Sequence, residues 1–359
     1  MEVIAVNELN PDNAHIAYLL NYDSLYGPNA EQVVGQSTSL RIGEDEIVSH
    51  HDRDVVEVPW HRYNLDIIID ASGNSKNLAS YEAIPGDVPV LVTYCPDPDQ
   101  ENAPEVIAKY GARVKPIIIG CNEADLRSDL KHRVFSSSIC DAVALAPVAK
   151  LLMDNVGIES GHLTTLHPWL ANQNLLDNAF GSFSRTDPGP LQSNYALGRC
   201  ATENMIPKTT TALSAAAKVI PTIDRTIQTF SFRVPTTVVS AAVLVVNTRE
   251  STNAAQITKL FTSYEASQQF KIIRNVSEPL VSTDYRGSAY SAAIDQRWTA
   301  VAGDRHLRMM YWYDNEFGYS ARVLDVACLI AEARARATRS SDPKPEPRPG
   351  GLDRRGVWA

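Results

Sequence analysis

Ser136-Ser137-Ser138-Ile139-Cys140-Asp141-Ala142-Val143-Ala144-Leu145-Ala146-Pro147 marks the point at which this chain changes character. Upstream, short apolar runs (Val3–Val6, Leu65–Asp70, Val88–Thr93, Ile117–Gly120) alternate with helical or loop segments. Such nearly continuous β-branched runs suit strands buried on both faces, as in a parallel sheet. Downstream, His162–His167, Thr229–Val234 and Val238–Asn247 are longer and alternate in polarity, as strands of an antiparallel sheet with one covered face do. The expected architecture is an α/β first half and an α+β second half with a mainly antiparallel sheet.

Working outward, the spacing predicts helices over Pro11–Asn21, from Cys140 to about Asn155, Thr209–Val219, Asn253 to about Ser263, and Gly318–Ala337. The first has Asn10 or Asp12 as cap and Ile16, Leu19 and Leu20 on one face. Leu40–Val48, broken by Gly43, reads as a hairpin. Ser340–Ala359 holds four prolines and mixed charge and is expected to be a disordered tail.

The chain has 359 residues, room for two domains at about 150 residues each. With 44% hydrophobic and 21% charged residues it is expected to be globular. A balance of 33 basic to 42 acidic residues, net -9, gives nucleic-acid binding little electrostatic support. Cys95, Cys121, Cys140, Cys200 and Cys328 are few and widely spaced, which favours free thiols and a cytoplasmic location. No apolar stretch approaches the roughly 18 residues of a membrane span, so no membrane partner is expected.

Two residues stand out chemically. Cys140 opens a helical pattern, where free N–H groups and the dipole are expected to lower a thiol pKa and make a nucleophile. His167 ends a strand-like run, and an imidazole beside a thiol serves as its base. Taken alone, Cys140 also reads as an ordinary buried cysteine, and eight histidines make a Cys/His pairing easy to find.

Order and spacing of longer stretches add to this. Val3-Ile4-Ala5-Val6-Asn7-Glu8, Leu19-Leu20-Asn21-Tyr22-Asp23-Ser24, Gly157-Ile158-Glu159-Ser160-Gly161, Thr164-Thr165-Leu166-His167, Phe232-Arg233-Val234-Pro235-Thr236 and Trp312-Tyr313-Asp314-Asn315-Glu316-Phe317-Gly318-Tyr319-Ser320 run to near the end of the chain. With them the chain resembles the phosphorylating glyceraldehyde-3-phosphate dehydrogenase family, nearest its erythrose-4-phosphate dehydrogenase branch. The resemblance implies a Rossmann-like NAD-binding domain over residues 1–139 and 315–338, a catalytic domain over 140–314 and a tail over 339–359.

It also implies an activity, the NAD-dependent oxidation of a small aldehyde through a thiohemiacetal and thioester on Cys140, with His167 as base. Arg233, Thr210 and Thr211 would bind substrate. Glu8, Ser72, Gly73, Asn315 and Tyr319 would bind NAD, with Glu8 on the adenosine ribose. The family further implies a homotetramer, and no metal.

The chain departs from the pattern in three places. No G-x-G-x-x-G occurs, and Val3–Val6 corresponds to the family's second strand; either roughly 30 residues precede Met1, one strand–helix unit, or dinucleotide binding is lost. The hydroxyls flanking the nucleophile become Ile139 and Asp141, and Leu170 and Asn172 replace substrate-phosphate threonines; Thr210 is kept, while Thr211 replaces a glycine. A longer loop lies between Asn174 and Pro207. These departures keep open a cysteine-dependent acyl transferase or thioester hydrolase without a redox step, and a non-catalytic protein of the same fold.

Overall fold

The computed structural model describes residues 1–97, 103–127, 131–178 and 195–341. Strand β1 (Ala5–Asn7) leads into helix α1 (Asn13–Asn21), where the Asp12 carboxylate accepts from the backbone N–H groups of Ala14 and His15. A ribbon of β2 (Tyr22–Asp23) and β3 (Gly27–Pro28) precedes β4 (Val33–Gly35), β5 (Ser39–Ile42) and β6 (Asp45–His50). The first sheet runs β1-β6-β5-β4, with β1 parallel to β6. The hairpin expected about Gly43 is β5–β6.

The face expected of α1 is not the one it buries. Asn13 and Ala17 are buried, whereas Leu19 is 55% exposed and Leu20 47%. The reason is close packing on β4: a side chain at Gly35 would collide with the Asn13 carbonyl, so the helix approaches on its small residues. Asn13 completes the contact, donating to Gln36 O and accepting from the Ser49 hydroxyl.

A second, wholly parallel sheet follows, built from β7 (Ile68–Asp70), β8 (Val90–Val92), β9 (Val114–Pro116) and β10 (Val134–Ser136) in the order β7-β8-β10-β9. Helix α2 (Pro104–Tyr110) lies between β8 and β9 in sequence. Val90, Leu91 and Val92 are fully buried, as a central parallel strand requires. Ile117–Gly120, read as a strand, is instead a buried turn after β9. Asn122 closes it, accepting from Ile118 N and donating to Pro116 O, and Gly120 takes a φ of +87°. A side chain that satisfies the backbone locally removes the need for a ladder partner.

After β10 the chain enters α3 (Cys140–Asn155), with the bounds expected from sequence. The remaining elements are β11 (Ile158–Pro168), β12 (Ile206–Lys208), α4 (Ala212–Ala217), α5 (Ile223–Thr226), β13 (Ile227–Val234), β14 (Ser240–Thr248), α6 (Ala254–Ser267), β15 (Ile273–Val276), β16 (Ala292–Asp295), β17 (Ala300–Ala302), β18 (His306–Tyr313) and α7 (Phe317–Ser341). Their eight strands form one sheet, β12-β13-β11-β14-β18-β16-β15 with β17 beside β18, antiparallel except at β11/β13 and β15/β16.

Helices α3, α4, α6 and α7 bury Leu145, Leu152, Ala216, Phe261 and Ile330 in one core with Leu163, Leu244 and Met309 of this sheet. Helix α7 continues past Ala337 to Ser341, so the first residues assigned to the tail are helical. Residues 342–359 of the expected tail, and 179–194 of the longer loop, lie outside the described residues. Among the described residues, no helix is long and apolar enough to cross a membrane.

Candidate active site

Strand pairing assembles the site from distant parts of the sequence. His167 on β11 lies opposite Arg233 on β13, and Lys208 on β12 lies opposite Ser231, two residues from Arg233. Since alternate residues share a face, His167, Arg233 and Lys208 project on the same side of the sheet. Cys140, the first residue of α3, meets them there, its Sγ 3.8 Å from His167 Nε2. Ile139, Cys140, Asp141, His167, Leu170, Lys208, Thr210, Thr211, Arg233, Asn315 and Glu316 enclose a pocket of about 270 Å³.

The tautomer of His167 follows from its other nitrogen. Nδ1 lies 2.8 Å from Pro168 O, and a carbonyl can only accept, so Nδ1 carries hydrogen and Nε2 offers the neutral ring a lone pair toward the thiol. Burial lowers the His167 pKa, Asp141 opposes that shift and Arg233 reinforces it.

The thiol differs from expectation. Burial, then the Asp141 carboxylate, push Cys140 well above the usual thiol range, against the smaller help of the Asp141 backbone N–H and Arg233. Helix position alone would lower it; desolvation of a thiolate outweighs the dipole here. The two shifts run the same way, favouring a thiol over a thiolate and a neutral ring over an imidazolium.

Asp141 is the centre of the polar network. Its Oδ1 accepts from the Tyr313 hydroxyl at 2.7 Å and lies 3.7 Å from Cys140 Sγ and 3.9 Å from His167 Nε2. Its Oδ2 accepts from the Thr210 hydroxyl at 3.1 Å. The ligand atoms of Cys140, Asp141 and His167 fall within 4.8 Å of one another, a donor set that zinc accepts. Thr211, at the start of α4, lines the pocket but makes no side-chain cap.

Lys208, which sequence reasoning passed over, is the second cation of the pocket. Burial and the neighbouring Arg233 lower its pKa to about 8. Among the described residues neither cation has a carboxylate within salt-bridge distance, although both feel the Asp141 charge. Only the register of β12 on β13 places it there; a lysine two residues before Thr210 carries no sequence signal of its own.

The residues expected to hold dinucleotide are only partly brought together. Asn315 lines the pocket, its Oδ1 fixed by the backbone N–H of Val239, leaving its NH₂ as a donor beside the thiol. Tyr319 donates to Ser138 O and shares a hydrogen bond with the Ser137 hydroxyl, next to the cysteine turn. Ser138 and Val239 both take positive φ (64° and 72°), unusual for non-glycine residues and a sign of backbone held in place around a site. Among the described residues, the buried Ser138 hydroxyl has no hydrogen-bond partner.

This end fits a nicotinamide carboxamide. Ser72 and Gly73 follow β7 on a turn ordered by Asp70, which accepts from Ser72 N, Asn77 and Tyr81. Gly73 has a φ of +64° and open space beside it. Glu8 is exposed just beyond β1, its carboxylate accepting from Asn10 N. None of these three lines the cysteine pocket.

Asp314, buried between the halves, accepts from Tyr26, Gly287 N, Glu316 N and Phe317 N and so fixes the start of α7 beside Asn315. Its role was also absent from the sequence reading; the Asn-Glu-Phe-Gly context signals Asn315 but not the residue that holds it.

Known proteins resemble this chain along most of its length. Residues 1–78 match the family model described as glyceraldehyde 3-phosphate dehydrogenase, NAD binding domain, and residues 139–315 match its C-terminal domain. Glyceraldehyde-3-phosphate dehydrogenase 2 of Bacillus subtilis (strain 168) is 31% identical over 343 residues, 95% of this chain and 92% of that protein. Glyceraldehyde-3-phosphate dehydrogenase 3 of Saccharomyces cerevisiae is 31% identical over 335 residues, 93% and 92% respectively. With both domains matched and the similarity running almost end to end, the chain belongs to the glyceraldehyde-3-phosphate dehydrogenase family.

Proposed function

We propose that the chain oxidises an anionic small aldehyde with Cys140 as nucleophile and His167 as base. The class of reaction, NAD-dependent oxidation of an aldehyde through a cysteine, comes with the family. The observation that carries the assignment is Cys140 Sγ at 3.8 Å from a His167 Nε2 whose lone pair is fixed toward it. Cys140 attacks the carbonyl carbon as its proton passes to His167 and from there to the carbonyl oxygen, which gives a thiohemiacetal and returns the ring to its neutral form. The imidazole then receives the hydroxyl proton of the thiohemiacetal while the hydride leaves, and a thioester remains on Cys140. NAD would supply the hydride acceptor; Asn315 and Tyr319 would hold its nicotinamide end, and Ser72, Gly73 and Glu8 the rest.

The substrate's anion lies between Arg233 and Lys208, with Thr211 at the rim. Two neighbouring cations without an ion-pair partner repel each other, and a bound anion removes that cost. Thr210 is already committed to Asp141 and acts through it.

A cytoplasmic location and a homotetramer complete the reading; five free cysteines support the former, and family membership the latter. The residue ranges 1–139 with 315–338 and 140–314 are proposed as the NAD-binding and catalytic domains.

The test is NADH formation from a panel of small aldehydes, with and without a phosphate or carboxylate group. Cys140→Ala and His167→Asn should each lower kcat/KM at least about a hundredfold. Full NADH formation by Cys140→Ala, or equal use of neutral and anionic aldehydes, would sink the assignment.

A further inference from the structure

The sulfur of Cys140 has two proton acceptors in reach, and aldehyde oxidation uses one. The second is Asp141 Oδ1, 3.7 Å away. Its carboxylate is buried and cannot swing off, because Tyr313 holds Oδ1 and Thr210 holds Oδ2. A fixed carboxylate against a nucleophilic sulfur opposes thiolate formation in the resting protein, so its presence calls for a use at another step.

That step is deacylation. Once Cys140 carries an acyl group it has no S–H, and the side of Oδ1 that faced the thiol is free. With Oδ1 3.7 Å from the sulfur, a water beside the acyl group can donate to it and present its oxygen to the carbonyl carbon. A phosphate approaching the same carbon meets the carboxylate's charge instead. It also finds the Thr210 hydroxyl, a neutral donor it could have used, already donating to Asp141. The pocket's cations, Arg233 and Lys208, stand on the sheet strands, where they can hold the substrate's own anion.

We propose that Asp141 makes water the acyl acceptor, serving as general base for hydrolysis of the Cys140 thioester and as the charge that keeps phosphate out, so that the product is a free carboxylic acid. This rests on the reading of Cys140 as the acylated nucleophile. The water oxygen bonds to the acyl carbon as one of its protons passes to Asp141. Collapse of the tetrahedral adduct breaks the C–S bond, and the departing sulfur takes that proton back, restoring the thiol and the carboxylate. The acid releases its own proton to solvent, and no electrons are transferred in the step. Reactions that consume the product must therefore start from a carboxylate and supply their own activation.

The experiment isolates deacylation from the aldehyde and from NAD. The full chain is acylated with p-nitrophenyl acetate, the acetyl group is located on Cys140 by mass spectrometry, and its loss is timed with and without inorganic phosphate. Wild-type acetyl-protein should deacylate at a rate that phosphate leaves unchanged. Asp141→Asn, which keeps the shape, should deacylate about a hundredfold more slowly, and phosphate should then accelerate it. Deacylation of Asp141→Asn at the wild-type rate overturns the proposal.

Phosphate acceleration of the wild type with release of acetyl phosphate overturns it as well, and that arm needs no variant to fold. Acylation at Cys140 with either of those results leaves the nucleophile assignment standing; no acetyl group on wild-type Cys140 removes both.

Discussion

The two halves of the molecule are built to different standards. In the second, β11, β13, β14 and β18 run for 8–11 residues each and share one continuous core with four helices. In the first, β1, β4, β7, β8, β9 and β10 have three residues each and are split between two sheets; the first sheet packs a small core of its own, and the second divides its residues between its own core and the large one, which takes Leu91 of β8 and Phe135 of β10. Large apolar side chains such as Leu9, Tyr18, Leu19 and Tyr22 stand exposed there.

The cysteine chemistry is mounted almost wholly on the well-packed half, where the long strands β11 and β13 hold His167 and Arg233 in register and the short β12, paired with β13, adds Lys208. Precise geometry belongs on rigid elements. The residues proposed to bind dinucleotide sit instead on turns after short strands, as Ser72, Gly73 and Glu8 do, or near the start of α7, as Asn315 and Tyr319 do.

The contrast can be broken by mutation. The largest expected effect is at Phe261, fully buried where α6 meets the sheet. Phe261→Ala should cost about 3–5 kcal/mol in urea unfolding, the usual range for a buried aromatic. A loss under about 1 kcal/mol would show that this core is not the stable half.

Next comes Lys208. It is cationic below a pKa of about 8 and neutral above it, so its attraction for an anionic aldehyde is present at neutral pH and lost as pH rises through that value. KM should climb on the alkaline side, and Lys208→Met should raise KM about tenfold at pH 7 while flattening the climb. An unaltered profile in the variant would remove Lys208 from the substrate site.

The same group bears on stability with the opposite sense. Its folded pKa lies below the ordinary lysine value near 10.4, so between about 8 and 10 the unfolded chain binds more protons and Lys208's contribution to stability rises with pH.

Smallest is Leu19→Ser on the exposed face of α1, expected to change stability by no more than about 0.5 kcal/mol. A larger loss in the full chain would mean that this face is covered in the native assembly.

Much of this was legible in sequence where a residue's meaning is local. Helix α3 begins at Cys140 because the extended Ile139 before it gives way to helix-forming Ala and Leu. The hairpin about Gly43 needed only turn chemistry. Ile117–Gly120 misled because continuous burial reads alike in a strand and in a turn closed by Asn122. Leu19 and Leu20 misled because periodicity names an apolar face without saying whether anything covers it.

The sequence by itself determined the family, the Cys140/His167 pairing, Arg233 and the carboxylate beside the nucleophile. Residue type and order carry those. Only the tertiary structure decided what the carboxylate does to its neighbours. Burial outweighs the helix dipole at Cys140, Tyr313 and Thr210 lock Asp141 in place, and the pairing of β12 with β13 sets Lys208 beside Arg233. The reason is physical: desolvation and charge coupling depend on what surrounds a group in space, and those neighbours lie up to 172 residues away along the chain.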